Sequence, residues 1–371
     1  MDDLHFWLML NRCPQFTPRK LFQLLEHCGI PQAIIEATQS EWNQWQFSDK
    51  TQSYLQSDLL TAIKPDLEWA QQTDCHIITY QSKQYPKLLR EISDPPLVLF
   101  VQGNKELLNQ PQLAIVGSRN PTPQGKQNAY NFAKALANAG LVITSGLALG
   151  IDGVSHQSAV DSNNQTIAVT GTGLDRIYPS RNKVLAHEIL GKGAMVSEFP
   201  IGTGVRPSHF PRRNRLISGM SLGVLVVEAA IKSGSLITAH LAMDQGREVF
   251  SIPGSIHNPL ARGCHKLIRE GVKLVETAND ILEELSAMAK FQNNSNPDIT
   301  TINKAETTAN TATLDNHQIT ILNAIDFDKT TVDEIITRTE MSAELVAGSL
   351  LILELEGFIN STTGGYCKRG N

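Results

Sequence analysis

From residue 111 to residue 290 the chain alternates short apolar runs with stretches of helical periodicity, and this alternation restricts it to one kind of core. The runs Leu113-Ala114-Ile115-Val116, Leu141-Val142-Ile143-Thr144, Thr166-Ile167-Ala168-Val169 and Ala194-Met195-Val196-Ser197 read as strands covered on both faces. Leu222-Gly223-Val224-Leu225-Val226-Val227 and Glu248-Val249-Phe250-Ser251-Ile252 read the same way. Strands of this kind form a mostly parallel sheet whose crossover helices pack on both sides. The sequence therefore predicts an α/β core. Two extended pieces, His76-Ile77-Ile78-Thr79-Tyr80 and Leu97-Val98-Leu99-Phe100-Val101, are expected to join the same sheet.

Around that core the chain divides into four segments. Residues 1–63 carry apolar residues at helical spacing and predict a small all-helical domain. Residues 64–290 hold the sheet, 65–110 connecting it to the helices. Residues 291–313 are rich in Asn, Thr and Ala with little apolar content, the composition of a flexible linker. Residues 314–371 predict helices at 317–325, 331–339 and 342–355 and then a Gly364-Gly365 hairpin, the order of a winged helix.

With 371 residues, 41% hydrophobic and 19% charged, the chain has room for two or three well-buried domains. The start, Met1-Asp2-Asp3-Leu4-His5-Phe6, has no basic region or cleavage site, and no apolar run is long enough to cross a bilayer. A cytoplasmic, non-membrane protein is expected. Five scattered cysteines indicate neither a disulfide framework nor a zinc site, so reduced thiols and no metal are expected.

In a sheet of this type ligands bind along the carboxyl edge of the strands, and the residues there are distinctive. After the first strand, Gly117 lets backbone approach, Ser118 offers a hydroxyl and N–H donors, and Arg119 supplies charge, which together make a phosphate-binding turn. Pro123 suits the first turn of a helix running to Ala139. Ser145-Gly146-Leu147-Ala148-Leu149-Gly150-Ile151-Asp152 is a second tight turn presenting N–H groups, with Asp152 placed to cap the next helix. Lys232-Ser233-Gly234-Ser235 is a third, with Ser233 or Ser235 placed to cap a helix running to Gln245.

The strongest anion signal is Phe210-Pro211-Arg212-Arg213-Asn214-Arg215, three arginines on a short turn opening an apolar helix. Guanidinium groups hold phosphate oxygens in pairs, and a helix N-terminus adds positive potential at the same place. Residues 201–220 contain four arginines and no Asp or Glu, whereas the chain carries a net charge of −5. The basic character is thus local and marks a site. Three anion-type loops and an arginine turn on one edge fit a polyphosphate chain better than a single nucleotide.

Each feature has a plainer reading. The glycines can serve tight turns alone, and Asp152 can be only a cap. His156 reads as a packed or capping histidine rather than a catalyst, and Glu228 as an orienting residue, because no Ser, Cys or His stands beside it in sequence. No Gly-x-Gly-x-x-Gly follows the first strand and no Gly-x-x-x-x-Gly-Lys-Ser/Thr occurs, so no nucleotide cofactor is implied.

Taken in order, Asp94-Pro95-Pro96, Val116-Gly117-Ser118-Arg119, the 145–152 turn, the 210–218 segment, Val227-Glu228-Ala229, the 233–239 segment and Ile252-Pro253-Gly254 closely resemble the bacterial DNA-processing protein A family, also called Smf. The resemblance covers about residues 85–284. It implies an extended Rossmann-like domain that dimerises, between a helical domain of SAM-like or helix-hairpin-helix-like type and a winged helix. It implies a non-enzymatic function: binding single-stranded DNA in natural transformation, protecting incoming DNA and loading the RecA recombinase onto it.

By the same resemblance the DNA contacts fall on Gly117, Ser118, Arg119, Ser145, Gly146, Phe210, Arg212, Arg213, Asn214, Arg215, Gly234 and Ser235. Which of Arg212, Arg213 and Arg215 meets phosphate stays open. Phe210 either stacks on a base, worth about 1–3 kcal/mol without sequence preference, or anchors the turn in the core. Glu344, Glu354 and Glu356 near the third helix of the winged helix suit duplex DNA poorly and a protein contact at least as well.

A rival reading is an enzyme, because the Rossmann variant also resembles nucleoside-monophosphate phosphoribohydrolases of the lysine-decarboxylase-like type. Their Pro-Gly-Gly-x-Gly-Thr-x-x-Glu loop corresponds here to Ala230-Ile231-Lys232-Ser233-Gly234-Ser235-Leu236-Ile237-Thr238, which lacks the second glycine and the glutamate. A nucleotide-sensing regulator is the third possibility. Since every anion loop precedes residue 289, truncation near Ala289 should leave a soluble core that keeps single-strand affinity to within about tenfold, or 1.4 kcal/mol. A hundredfold loss in a core still folded by circular dichroism would place the winged helix in the DNA site.

Overall fold

The computed structural model describes residues 3–16, 18–292, 314–327, 329–362 and 364–369. Six short helices come first: α1 (Asp3–Arg12), α2 (Pro18–Cys28), α3 (Pro31–Ile35), α4 (Gln39–Gln44), α5 (Asp49–Leu55) and α6 (Leu59–Ala70). Next come β1 (Cys75–Thr79), α7 (Lys87–Arg90), β2 (Val98–Gly103), β3 (Gln112–Val116), α8 (Pro123–Asn138), β4 (Val142–Ser145), α9 (Ile151–Asp161) and β5 (Thr166–Val169). The core is completed by α10 (Lys183–Leu190), β6 (Ala194–Ser197), α11 (His209–Met220), β7 (Gly223–Val226), α12 (Gly234–Asp244), β8 (Glu248–Ser251), α13 (Arg262–Arg269), β9 (Lys273–Leu274) and α14 (Ala278–Gln292).

The strands form one sheet in the order β1-β2-β6-β5-β4-β3-β7-β8-β9. From β6 to β9 all pairs are parallel, while β1 and β2 extend the sheet antiparallel at the β6 edge. The six core strands and the two extended pieces anticipated from sequence are all present. The ninth, β9, was not anticipated, since its two exposed residues carry no apolar pattern. Period-two alternation divides the strand side chains between two layers. Ala114, Val116, Val224 and Val226 pack with Leu216, Ile217, Leu236 and Ala239 of α11 and α12. Leu113, Ile115, Leu225 and Phe250 face the other way onto Ala129, Phe132 and Leu136 of α8 and Ile281 of α14.

The N-terminal helices are built on the sheet rather than beside it. Phe6, Trp7, Leu8, Met9 and Leu10 of α1 are all buried, in one apolar cluster with Val98 and Phe100 of β2, Ala168 of β5 and Met195 of β6. Helix α6 runs across the 63/64 position at which the sequence reading divides the chain, with Pro65 inside it. The lost Pro65 N–H bond is offset by burial of Ile63 and Trp69 and by the placement of Asp66. That carboxylate, fully buried, binds Arg12 Nε at 2.5 Å and Nη2 at 2.8 Å and accepts from the Ile201 N–H at 2.9 Å.

Of the segment read as a linker, Phe291 and Gln292 close α14 and residues 293–313 lie outside the described residues. Beyond it, α15 (Asn316–Ala324), α16 (Val332–Thr339), α17 (Ala343–Leu355) and the hairpin β10 (Ile359–Thr362) and β11 (Gly365–Lys368) make the winged helix, with Ile321, Ile335, Val346, Leu350, Leu353 and Ile359 as its core.

Replacing Asp66 by Ala leaves Arg12 without its partner, at a cost of about 3 kcal/mol. We expect a lower urea midpoint and faster proteolysis in the 1–70 region. Equal stability of Asp66→Ala and wild type would remove this clamp from the account.

Candidate nucleic-acid interface

The winding of the sheet locates the site. Strands β3, β4, β5 and β6 step outward in one direction, and the chain then returns to place β7 on the other side of β3. Ligands in open α/β sheets bind where such a reversal occurs, at the carboxyl ends. A cavity of about 580 Å³ lies there, lined among others by Gly117 and Arg119 after β3, Phe210, Arg213 and Asn214 of α11, and Gly234 and Ser235 at the start of α12. Of the residues predicted from sequence, these seven come together. Ser118, Ser145, Gly146, Arg212 and Arg215 do not line it.

The arginine segment is not a turn. It forms the first turns of α11, which starts at His209. Helical spacing therefore separates the three arginines and gives them different surroundings. Arg213 is buried, and its Nη1 donates to the Val169 carbonyl at 2.7 Å. It passes directly over Gly146, where a Cβ would overlap the guanidinium. Burial pulls its pKa down to about 10 and Arg119 adds to that, while Asp152 opposes it. Arg215 is also buried, but it is spent on structure. Its Nη2 pairs with Glu198, its Nη1 donates to the Asp94 carbonyl at 2.7 Å, and its Nε lies 3.3 Å from the Asp94 carboxylate. Arg212 shares Glu198 at 2.8 Å and lies over the Phe199 ring, half exposed at the rim.

The 145–152 turn differs from expectation in one respect: the amides of Gly146, Ala148 and Ile151 are already taken, the last by the Ser118 carbonyl. The Asp152 carboxylate, itself buried, accepts from the N–H of Gly146 at 3.1 Å and of Ala148 at 3.4 Å. It thus ties the turn together instead of capping α9, whose N-cap is Gly150 at φ +82°. Desolvation holds the Asp152 carboxyl above its ordinary range, and the Arg213 charge and these amides offset only part of that rise. Ser145 is fully buried and donates its hydroxyl to the Ile115 carbonyl at 2.6 Å. The Ser118 N–H is likewise engaged, by the Glu228 carbonyl at 2.7 Å, and its hydroxyl accepts from Asn120 N–H. Ser118, Ser145 and Gly146 are therefore framework for the cations and not a cradle of open amides.

The third loop stays open. Ser233 caps α12, accepting from the Ser235 N–H, and the two hydroxyls lie 2.6 Å apart. No atom lies within 4 Å of where a Cβ on Gly234 would be, so a ligand can reach the helix N-terminus. Across the cavity the Arg119 guanidinium lies over the Phe210 ring at 5.8 Å, and Tyr178, 44% exposed, has its ring 5.7 Å from Phe210. Phe210 also packs on the Gly171 backbone, so it is anchored and faces the cavity at once.

Glu228 has the orienting role read from sequence: its carboxylate accepts from the Thr122 N–H at 2.9 Å and hydroxyl at 2.5 Å, fixing the start of α8. His156 is fully buried against the Thr166 hydroxyl at 2.7 Å, and burial, with a further contribution from Arg213, lowers its pKa to about 3. Glu198 and Tyr178 were missed. Glu198 follows β6 at the same carboxyl edge as the other loops, a signal that was present; Tyr178 carries none.

The sheet is of the extended Rossmann-like kind, with an arginine- and serine-lined cavity at its switch point and a winged helix beyond it. The chain belongs to the DNA recombination-mediator protein A family, whose model matches residues 76–286, and residues 305–365 match the DprA winged helix domain. It is 42% identical over 308 residues to Protein Smf of Escherichia coli, covering 83% of this chain and 81% of that protein. It is 48% identical over 209 residues to DNA processing protein DprA of Bacillus subtilis, covering 56% and 70%. The X-ray structure of DNA processing protein A from Streptococcus pneumoniae superposes with a TM-score of 0.66 at 37% identity, over 75% of this chain and 96% of that one. That of the Helicobacter pylori protein, described for its single-stranded DNA binding mode, gives 0.52 at 31%, over 58% and 97%.

His156 gives the site a measurable pH signature. Its folded pKa of about 3 lies below its ordinary 6.5, so the unfolded chain binds the proton first and stability falls as pH drops through 6.5. Between pH 7 and pH 5 this group should remove about 2 kcal/mol, a loss absent in His156→Gln. Parallel urea-derived stability curves for the two proteins over that range would contradict the burial argument.

Proposed function

We propose that this protein binds single-stranded DNA along the carboxyl edge of its sheet, and that it does so to protect incoming strands in natural transformation and to load the RecA recombinase onto them. The observation that carries the reading is the convergence of Arg119, Arg213 and the open start of α12 on one cavity bordered by Phe210 and Tyr178. Cations and a helix N-terminus suit phosphates, and two aromatic rings suit bases of any sequence. Arg119 and Arg213 are the phosphate ligands in this reading, with Asn214, Gly117, Gly234 and Ser235 as further donors and Arg212 at the rim. Ser118, Ser145, Gly146 and Arg215 act by holding them. The single-stranded DNA binding mode described for the Helicobacter pylori relative supports the single-strand assignment.

We place the protein in the cytoplasm as a homodimer. Among the described residues no helix is long and apolar enough to cross a membrane. The function proposed is binding without catalysis. In the hydrolase alternative a carboxylate at this edge would act on substrate, but Glu228 is occupied by Thr122 and by Asn258 at 3.4 Å.

A gel shift at two salt concentrations should show tighter binding to single strands than to duplex; equal or tighter duplex binding would refute the assignment. Arg119→Ala should weaken all single-stranded sequences alike and reduce the salt slope by about 0.7. An unchanged slope in a folded variant would make Arg119 structural.

A further inference from the structure

Helix α17 of the winged helix is apolar on two opposite sides, and only one of them has a partner. Val346, Leu350 and Leu353 are buried in the domain core, while Leu345, Leu351, Ile352 and Leu355 are 39%, 59%, 41% and 79% exposed. A helix apolar all round is ordinarily covered all round. The outer stripe has its own order. Leu345 and Ile352 are seven residues apart, as are Gly348 and Leu355, the a and d spacing of a helix–helix seam. No atom lies within 4 Å of where a Cβ on Gly348 would be, so a second helix can approach closely at the middle of the stripe.

Charge selects the occupant. Residues 314–371 hold nine Asp and Glu against four Lys and Arg, a net −5, which is the net charge of the entire chain. The stripe itself runs between Glu344, Glu354 and Glu356, all exposed, and α17 has no Lys or Arg. A DNA groove is excluded, because a helix entering one must meet phosphates with cations. A second copy is disfavoured, because pairing the stripe with itself sets these glutamates against one another.

We propose that the outer face of α17 is a docking site for a basic amphipathic helix of a partner protein, a helix of about three turns with aliphatic residues on one stripe and Lys or Arg beside them. The winged helix is then a protein-recruitment module, and this holds whether or not the core binds single strands.

The test uses the full chain and two labelled helical peptides with identical leucine stripes, one with Lys and one with Glu at the remaining positions. Anisotropy should show binding of the Lys peptide only. Ile352→Ser/Leu355→Ser, which alters exposed side chains, should weaken it at least tenfold while single-strand binding and the circular dichroism melt stay unchanged. Binding of neither peptide, equal binding of both, or equal binding of the Lys peptide to the variant would overturn the proposal. So would sedimentation showing that the variant loses an oligomer present in wild type, since a second copy would then cover the face. Loss of duplex binding in the variant would instead assign the face to DNA.

Discussion

The buried guanidinium of Arg213 is the interaction on which the site depends. Bringing a cation into the interior is costly unless its charge and hydrogen bonds are met there. Here the Val169 carbonyl ends β5, Asp152 opens α9, and Gly146 clears the space between them. One side chain of α11 thus links the end of β5, the turn that follows β4 and the start of α9. Substitution at any of these three residues acts on the others before it acts on a ligand.

A second charged group divides the arginines held by carboxylates from the one that lines the cavity. Glu198 is buried at the end of β6 and takes both Arg212 and Arg215, while Asp94 takes the far side of Arg215. This neutralises most of the charge that the arginine cluster displays in sequence. Of the three arginines only Arg213 then lines the cavity, together with Arg119 and the start of α12. In the proposed reading, phosphates would meet a small number of placed donors instead of a diffuse basic surface.

The two ends of the chain relate to this core differently. The N-terminal helices share an apolar cluster with the β1, β2, β6 and β5 side of the sheet and are pinned by Arg12 and Asp66 to the Ile201 backbone, next to the loop that leads into α11. They form part of the rigid frame of the site. The winged helix has a separate core and carries the net negative charge, opposite in sign to the cavity. That charge is the ground on which the proposal gives the third helix a cationic protein partner rather than nucleic acid.

The strands, the helix starts at Pro123 and Ser233 and the winged-helix order were legible in the sequence because each rests on local patterning: apolar alternation, a proline at a first helical turn, a hydroxyl before a helix. The sequence also determined which loops would meet, since strands of a parallel sheet end on one edge. It did not determine what each loop does there. The 145–152 turn offers amides when read alone, and only the fold brings Asp152 back onto them. Arg212, Arg213 and Arg215 are equivalent as letters, and they became a rim residue, a buried residue of the cavity wall and a structural clamp because helical spacing points them at Glu198, Val169 and Asp94. Those partners are separated from the arginines by 14, 44 and 121 residues. Contacts of that range are set by how the sheet winds, which no window of sequence contains.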